Sequence, residues 1–274
     1  MNLVKKCCLF IILTILTQIG GVVYLVYQPL SYWLKKRWNG RKQMIARIGL
    51  FLLGYLIATL FIVPPIARQY GRVPMPYLST NKTPLRPLTI FTCLLNRHYV
   101  KPTLEREIIQ IARRLQRLYP ERKVVYLDAN FPFWDGFPLL PHLSHNDGKK
   151  LDLAFLYKDK VTRKIVNGSP AFSGYGVYEA PKKGELNQPT ICAKKGYWQY
   201  GLLAWLTPQG QKETVIIDEQ ANKQFLNLLA QNKAIKKIFI EPHLKTRWGL
   251  ENYAKIRYHG CHAVRHDDHI HVQL

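Results

Sequence analysis

The first 104 residues of this 274-residue chain contain no aspartate or glutamate, and the first acidic residue is Glu105. Two long apolar stretches lie in the same region, from about Cys7 to Tyr27 and from about Ile48 to Val63. A helix needs about 20 apolar residues to cross a bilayer. We therefore predict two transmembrane helices, of which the second is near the lower limit of length and stops at Pro64-Pro65.

A short basic loop separates the two stretches, and aromatic residues surround its start. The basic residues are Lys35, Lys36, Arg37, Arg41, Lys42 and Arg47, and the aromatic residues are Tyr24, Tyr27, Tyr32, Trp33 and Trp38. Short basic loops stay in the cytoplasm, and Tyr and Trp collect at membrane interfaces. This pattern places the loop inside the cell, and it places both termini and everything after about residue 67 outside.

The domain organisation follows from this topology. Residues 1–67 are predicted to be a membrane anchor with two transmembrane helices and a basic cytoplasmic loop. Residues 68–90 are rich in proline, arginine and small polar residues and are interpreted as a linker. Residues 91–274 form the predicted extracytoplasmic domain, so the chain is expected in the inner (cytoplasmic) membrane with this domain on the periplasmic side.

A cleaved signal peptide is the main alternative, because Lys5 and Lys6 precede the first apolar stretch. The stretch is long for the apolar part of a signal peptide, and no clear small-x-small cleavage site follows it. Cleavage would also leave the basic loop outside, against the charge rule. Two retained spans are the better interpretation.

The chain carries a formal net charge of +23. From Val73 onward lie 30 of its 40 Lys and Arg residues and all 17 Asp and Glu residues. Such a basic excess suits phospholipid headgroups, an anionic wall polymer or nucleic acid. A solvated basic surface with no specific partner explains the charge equally well, and an extracytoplasmic location argues against nucleic acid.

The cysteines limit the redox chemistry. Cys7 and Cys8 lie in the first apolar stretch, which leaves Cys93, Cys192 and Cys261 for the rest of the chain. Three cysteines allow at most one internal disulfide and leave one thiol. No CxxC pair is present, which argues against a cysteine-based zinc site.

Hydrophobic periodicity indicates the elements of the extracytoplasmic part. A helix is predicted to begin at Pro102 and end at Pro120, and a second helix covers residues 218–232. Strands are predicted at residues 124–127, 150–157, 214–217, 238–240 and 269–274. The expected fold class is α+β, with a small mostly antiparallel sheet and flanking helices, preceded by the two transmembrane helices.

Histidines are concentrated at the end of the chain. Five of the nine lie in the last 16 residues, at positions 259, 262, 266, 269 and 271. On a final strand His269, His271 and Gln273 share one face, while Ile270, Val272 and Leu274 take the other. Two imidazoles on a rigid strand can serve a metal ion or proton transfer, although an isolated HxH pattern is more often incidental.

A second polar group surrounds His145 and Asp152. His145 lies in a loop before a predicted strand, Asp152 lies on the polar face of that strand, and Gly148 permits the tight turn between them. An imidazole, a carboxylate and a second histidine form a three-ligand set that leaves one coordination position open, as in catalytic zinc sites. Taken alone, Asp152 could instead pair with a lysine, and His145 could bond to the backbone.

Two segments carry a family resemblance: Ser144-His145-Asn-Asp-Gly148-Lys-Lys-Leu-Asp152 and His266-Asp-Asp-His269-Ile-His271-Val. Together they resemble the metallopeptidase group that includes lysostaphin, the D-Ala-D-Ala peptidases and the hedgehog signalling domain, and they are most similar to the penicillin-insensitive murein endopeptidases. The resemblance covers roughly 16 residues. It does not extend to residues 158–240 or to the N-terminal spans.

The resemblance implies that His145, Asp152 and His271 bind Zn²⁺ and that His269 is the catalytic histidine. It also implies that His266 is a further active-site histidine. Zinc would then activate water and polarise the scissile carbonyl, while His269 moves a proton or stabilises the oxyanion.

Other residues near these segments have predicted supporting roles. His142 is an auxiliary candidate, and either Asp267 or Asp268 could orient a histidine. Strand alternation would place Asp267 on the face of His269, whereas a turn at this point would favour neither aspartate. Glu241 and His243 end a predicted strand and could supply an extra acid or base, or be no more than capping or surface residues.

The resulting expectation is a membrane-anchored zinc-dependent peptidase that hydrolyses amide bonds in peptidoglycan peptides. Its partners would be the membrane and a peptidoglycan or peptide substrate, and not nucleic acid. One alternative is a non-catalytic zinc-containing module of the same fold that binds wall or protein. Another is a membrane-anchored structural protein with a histidine-rich tail and no metal.

Overall fold

The computed structural model describes residues 3–207 and 210–274 of the chain. Helices come first, and a mixed sheet with helices packed against it follows, so the α+β class is confirmed. The N-terminal helices are α1 (Leu3–Thr17), α2 (Gly20–Arg37), α3 (Gly40–Ile57) and α4 (Val63–Gln69), with one π-helical turn (Ala58–Ile62) between α3 and α4.

The first apolar stretch is divided into α1 and α2. Gln18 takes a φ of +66°, so the chain turns between the helices and α1 packs against α2. A Cβ atom added at Gly21 would lie 2.0 Å from Thr14 Oγ1, so only glycine permits this close approach. The prediction of one continuous span from Cys7 to Tyr27 is therefore not what the structure shows.

The second apolar stretch belongs to a longer helix. Among the described residues, Gly40–Gln69 is the one helix that is long and apolar enough to cross a membrane. By comparison, α1 has 15 residues, and α2 ends in Lys35, Lys36 and Arg37. The structure thus supplies one candidate membrane helix, and the prediction of two spans is not confirmed.

Helices α2 and α3 pack side by side in opposite directions. Phe51 contacts Tyr24 and Tyr27, with ring centroids 6.5 and 5.6 Å apart, and Arg47 Nε donates to Ser31 Oγ at 2.7 Å. The basic turn between these helices therefore lies at one end of the helical part. The opposite end contacts the sheet domain, where the backbone N–H of Phe133 donates to Gln18 Oε1 at 2.8 Å.

Residues 68–90, which were interpreted as a linker, are part of the folded domain. They contribute β1 (Val73–Pro74), which pairs with β3 (Tyr99–Val100), and β2 (Leu85–Pro87), which is an edge strand of the central sheet. Met75 and Leu85 are fully buried in the main core. The Pro- and Arg-rich composition suggested a linker, but these apolar side chains attach the segment to the core.

The central sheet contains β2 and five further strands, β4 (Val124–Tyr126), β5 (Lys150–Ala154), β9 (Lys237–Phe239), β10 (Ile256–Arg257) and β11 (His269–Gln273). Its strand order is β10-β9-β11-β5-β4-β2. The four inner strands pair in antiparallel fashion, whereas the outer pairs β2–β4 and β9–β10 are parallel. Three of its five strand pairs are antiparallel, as expected, and the sheet is mixed because helical connections return the chain to both edges in the same direction.

The main core lies between this sheet and two long helices. They are α6 (Pro102–Leu118) and α9 (Glu219–Gln231), which pack against each other. Leu104, Ile108, Ile111 and Leu115 recur at helical spacing in α6 and are all buried. The other helices are α5 (Ile90–Leu94), α7 (Gln188–Lys194), α8 (Leu202–Leu206) and α10 (Pro242–Arg247), and 3₁₀ turns lie at Trp198–Gly201 and Gly210–Glu213. A second sheet consists of β6 (Tyr157–Asp159), β7 (Ile165–Val166) and β8 (Val215–Ile217).

Candidate metal centre

The pairing of β5 with β11 brings Asp152 and His271 together at the centre of the sheet. The two residues are direct partners in the antiparallel ladder, and His269 is opposite Ala154. Directly opposed residues project on the same face. The other face carries Leu151, Leu153, Ile270 and Val272, which are buried in the main core.

Three side-chain atoms converge on this face. His271 Nδ1 lies 2.8 Å from Asp152 Oδ1, His145 Nε2 lies 3.3 Å from the same oxygen, and the two ring nitrogens are 3.2 Å apart. Zinc bonds of about 2.0–2.1 Å in a tetrahedral arrangement separate neighbouring ligand atoms by about 3.3 Å. The three atoms, 2.8–3.3 Å from one another, are therefore close enough to bind one metal ion together.

A backbone contact fixes the orientation of His145. Its Nδ1 lies 2.6 Å from the carbonyl oxygen of Ala129, to which it donates. Since a neutral imidazole carries one proton, Nε2 is left with a lone pair that faces Asp152 and His271. This is the tautomer that a metal ligand requires.

The second oxygen of Asp152 has its own partners. His142 Nδ1 lies 3.0 Å from Oδ2, and the Tyr175 hydroxyl donates to Oδ2 at 2.9 Å. These contacts hold the carboxylate so that Oδ1 faces the histidine pair. His142, His145 and Asp152 also offer ligand atoms that all lie within 4.8 Å of one another, so this buried group could hold a metal ion.

The electrostatics favour the protonation states of metal ligands. Burial by itself raises the pKa of Asp152, but the neighbouring His145 and His269 lower that pKa well below its usual value. Burial lowers the pKa of His271 to about 4. A charged carboxylate and a neutral imidazole are the forms that bind metal at neutral pH.

His269 is oriented by Asp268 rather than by Asp267. Its Nδ1 donates to Asp268 Oδ1 at 2.5 Å, and Asp268 Oδ2 accepts from the backbone N–H of Gly176 at 2.6 Å. Asp267 instead forms an ion pair with Arg265. Strand alternation does not apply here, because β11 begins only at His269.

The environment also raises the pKa of His269. Burial alone lowers this pKa, but Asp152 and Asp268 raise it to about 9. Its Nε2 lies 3.7 Å from Asp152 Oδ1 and has no hydrogen-bond partner within residues 3–207 and 210–274. This nitrogen is therefore a buried polar atom beside the three converging atoms, available to a bound molecule.

His266 is held by its backbone. Glu241 Oε1 accepts from the N–H of His266 at 3.1 Å and from the Tyr200 hydroxyl at 2.6 Å. The His266 and His269 ring centroids are 4.9 Å apart. Glu241 is fully buried, and burial raises the pKa of its carboxyl. Glu241 thus positions His266, which the resemblance implies is an active-site histidine.

A cavity of about 250 Å³ adjoins these side chains. One wall is the segment Pro141–His145, and the opposite wall is formed by residues 259–266. A disulfide between Cys192 and Cys261 ties the second wall to α7, and Cys93 is the buried leftover thiol. At most one internal disulfide was expected, and this is the pair that forms.

Two arginines, the buried Arg72 and the partly buried Arg97, hold the loop that carries His142 and His145. Arg72 donates to the carbonyl oxygens of Phe131 and Phe133 and pairs with Asp135. Arg97 makes two bonds of 2.7 Å to Asp128 and donates to the carbonyl oxygen of Leu140 at 2.8 Å. The loop geometry therefore depends on residues that are distant in sequence.

Sequence reasoning missed Tyr175 and the two arginines. A local signal existed for the tyrosine, which lies between Gly174 and Gly176, both with positive φ. A Cβ atom at Gly174 would lie 2.4 Å from a methyl carbon of Leu127, so the glycine lets this segment approach the sheet. No comparable signal marked Arg72 or Arg97 among the many basic residues.

Comparisons with known proteins add no family assignment. No protein-family model matches the chain, and no curated protein matches it. The chemistry of this buried cluster is therefore inferred from its own residues: three histidine or aspartate atoms at ligand spacing, an oriented histidine beside them, and a cavity that adjoins both.

Proposed function

We propose that this chain is a membrane-anchored zinc-dependent peptidase that hydrolyses amide bonds in peptidoglycan peptides. One observation carries the proposal: His145 Nε2, Asp152 Oδ1 and His271 Nδ1 converge at separations of 2.8–3.3 Å beside a cavity. Three protein ligands and an open side are typical of catalytic zinc sites, whereas structural sites use four.

The donor set supports zinc as the metal. Two imidazole nitrogens and one carboxylate oxygen suit zinc, whereas magnesium and calcium prefer sites made only of oxygen ligands. When bound, zinc supplies Lewis-acid chemistry, lowering the pKa of water towards about 7 and polarising a carbonyl. His145, Asp152 and His271 would hold it, with His142 and Tyr175 supporting the carboxylate of Asp152.

His269 is the proposed proton-transfer residue. Asp268 accepts from its Nδ1, so the ring is fixed. Its Nε2, which has no partner in the described part of the chain, points towards the cluster. Peptide hydrolysis adds water to the carbonyl carbon and breaks the C–N bond, and the leaving nitrogen must gain a proton. A histidine that holds a proton within reach of that nitrogen supplies it. His266, which also lines the cavity, is the proposed second active-site histidine.

Two features support an extracytoplasmic location for the sheet domain. Disulfides such as Cys192–Cys261 persist in oxidising compartments outside the cytoplasm. The basic residues between α2 and α3 are typical of a cytoplasmic turn. With Gly40–Gln69 as a membrane anchor, the domain would face the cell wall, and its basic excess would suit an anionic polymer.

Two observations favour a non-catalytic zinc-containing module that binds wall or protein. The cavity of about 250 Å³ is smaller than the roughly 300–1,000 Å³ of most small-molecule sites. The cluster residues are also nearly inaccessible, since Asp152 is 0% and His145 1% exposed. A binding module would keep the metal and show no turnover.

The decisive test uses the full chain, because Gln18 and Arg72 contact the loop that leads to His142. Purified protein in detergent, loaded with zinc, is incubated with peptidoglycan fragments, and new amino termini are measured. The wild type should release them. His269→Ala should retain zinc and lose about 10²–10⁴-fold in rate. Bound zinc without turnover in the wild type would favour the binding module, and no bound zinc would contradict both readings.

A further inference from the structure

Four large apolar side chains of the sheet domain are exposed close to its contacts with the N-terminal helices. They are Ile90 and Phe91 in α5, Trp134 in the loop before His142, and Phe172; their exposed fractions are 52%, 54%, 53% and 72%. The rings of Phe91 and Phe172 are 6.2 Å apart. We call these four residues the apolar rim.

Hydrogen bonds connect α5 to the candidate membrane helix. The Tyr55 hydroxyl donates to the carbonyl oxygen of Leu94 at 2.6 Å, and Asn96 Nδ2 donates to Tyr55 Oη at 3.1 Å and to Thr59 Oγ1 at 3.4 Å. Asn96 and Thr59 are fully buried. Ile90 and Phe91 lie within one helical turn of Leu94, so this side of the rim is fixed against the membrane helix.

The other side of the rim is fixed to the turn between α1 and α2. Gln18 and Phe133 exchange two hydrogen bonds, from Phe133 N–H to Gln18 Oε1 at 2.8 Å and from Gln18 Nε2 to Phe133 O at 3.3 Å. Trp134 follows directly, with a φ of +31° that is uncommon for a bulky residue. The loop therefore holds an exposed indole next to the helical part in a strained conformation.

The apolar part of the candidate membrane helix gives the depth of these contacts. It begins at Ile48, directly after Arg47, and ends at Val63, before Pro64-Pro65. Trp134 lines one cavity together with Ile62 and Ile66, and its ring centroid is 6.4 Å from that of Tyr70. The indole therefore lies at the outer end of this apolar part, where the boundary between acyl chains and headgroups falls. Leu94 and Asn96, which bond to Tyr55 and Thr59, lie farther in along the same helix.

We infer that the sheet domain sits directly on the outer surface of the bilayer, with the apolar rim in the boundary between headgroups and acyl chains. Aromatic side chains concentrate at this boundary, and tryptophan suits it because its ring is apolar and its N–H can reach water or headgroups. The partner is thus the phospholipid bilayer itself. This inference rests on the proposed membrane anchoring and is independent of zinc binding and peptidase activity.

The test measures lipid contact at Trp134 in the full chain. The protein is reconstituted into phosphatidylethanolamine–phosphatidylglycerol vesicles whose acyl chains carry bromine near the headgroup, and flotation selects vesicle-bound chain. The emission of Trp134 is obtained as the difference between the wild type and Trp134→Phe. Trp198→Phe is the matched control, because Trp198 is 74% exposed and lies outside the rim.

Bromine should quench the Trp134 emission about twofold and leave the Trp198 emission unchanged, because Trp134 is expected at the interface where aromatic side chains contact lipid and Trp198 is not. If the chain floats but its Trp134 emission is not quenched, the inference that the sheet domain contacts the bilayer is wrong, although the membrane anchor is retained. A chain that does not float would overturn the anchoring and this inference with it. Neither outcome depends on zinc content, which separates this test from that of the peptidase.

Discussion

The residues of the candidate metal centre fall into a strand-borne set and a loop-borne set. The strand-borne set is Asp152, His269 and His271, and the loop-borne set is His142, His145 and His266. The ladder between β5 and β11 fixes the first set, because Asp152 and His271 are direct partners. The second set has no ladder, so side-chain and carbonyl contacts from distant segments must fix it.

The two sets should therefore respond differently to substitution. Replacing a strand-borne residue should change metal binding or proton transfer with little effect on the sheet, because the backbone ladder remains. Replacing a support of the loop-borne set should weaken metal binding although the replaced residue never touches the metal. The following predictions test that distinction, from the largest expected effect to the smallest.

Asp152→Asn should produce the largest effect. The substitution keeps the shape and the strand but removes the charge that His142 and Tyr175 orient, so zinc affinity should fall by more than about 100-fold. Competition with a chelator of known affinity measures this loss, and circular dichroism reports the fold. Unchanged zinc affinity in a folded variant would remove Asp152 from the ligand set.

Arg72→Met should weaken zinc binding from a distance. The arginine is 1% exposed and donates to Phe131 and Phe133, so its loss should cost about 2–3 kcal/mol of unfolding free energy. The displaced loop should lower zinc affinity by about 10- to 100-fold. Arg106→Met is the control, because that side chain is 60% exposed. Lower stability with unchanged affinity would show that the loop-borne set needs no such support.

Tyr175→Phe should lower zinc affinity by about 10-fold, because it removes one of the two donors to Asp152 Oδ2. Tyr126→Phe is the matched control, since that buried residue's hydroxyl donates to the carbonyl oxygen of Pro76 and not to the cluster. Titration of both variants with zinc compares them directly. Equal affinities in the two variants would argue that the orientation of Asp152 does not depend on Tyr175.

Chelation of the metal should affect the two sets differently. Backbone amides of residues 141–146 should exchange hydrogen about 10-fold faster without metal, because loop contacts open locally, whereas those of β5 and β11 should keep their protection. Hydrogen exchange of zinc-loaded and chelated protein measures both regions at once. Faster exchange in β11 would mean that the metal, and not the ladder, holds the strand-borne set.

The strand-borne set was predictable because strand alternation is a local property. The period of two placed His269 and His271 on one face without knowledge of the sheet. The pairing of β11 with β5, which puts His271 opposite Asp152, is not local, and it was expected only through the family resemblance. Asp268 shows the limit of alternation: it precedes the strand, and its neighbour Asp267 faces Arg265 instead.

The loop-borne set and the helical part were harder to predict. Nothing in the sequence links Arg72 to the carbonyl oxygens of Phe131 and Phe133, because such contacts arise only when the domain packs. In the first apolar stretch, Gln18 and the following glycines were visible interruptions. Hydropathy averages over such a stretch and does not report a turn, so it predicts one span where the structure has α1 and the start of α2.

The central claim is that His145, Asp152 and His271 form a zinc site. Its most direct test is the metal content of the purified full chain beside His271→Ala, with His262→Ala as the control because His262 is exposed and outside the ligand triangle. About one zinc per chain is expected in the wild type and in the control, and its loss is expected in His271→Ala. No zinc in the wild type, even after zinc is added, would contradict the account.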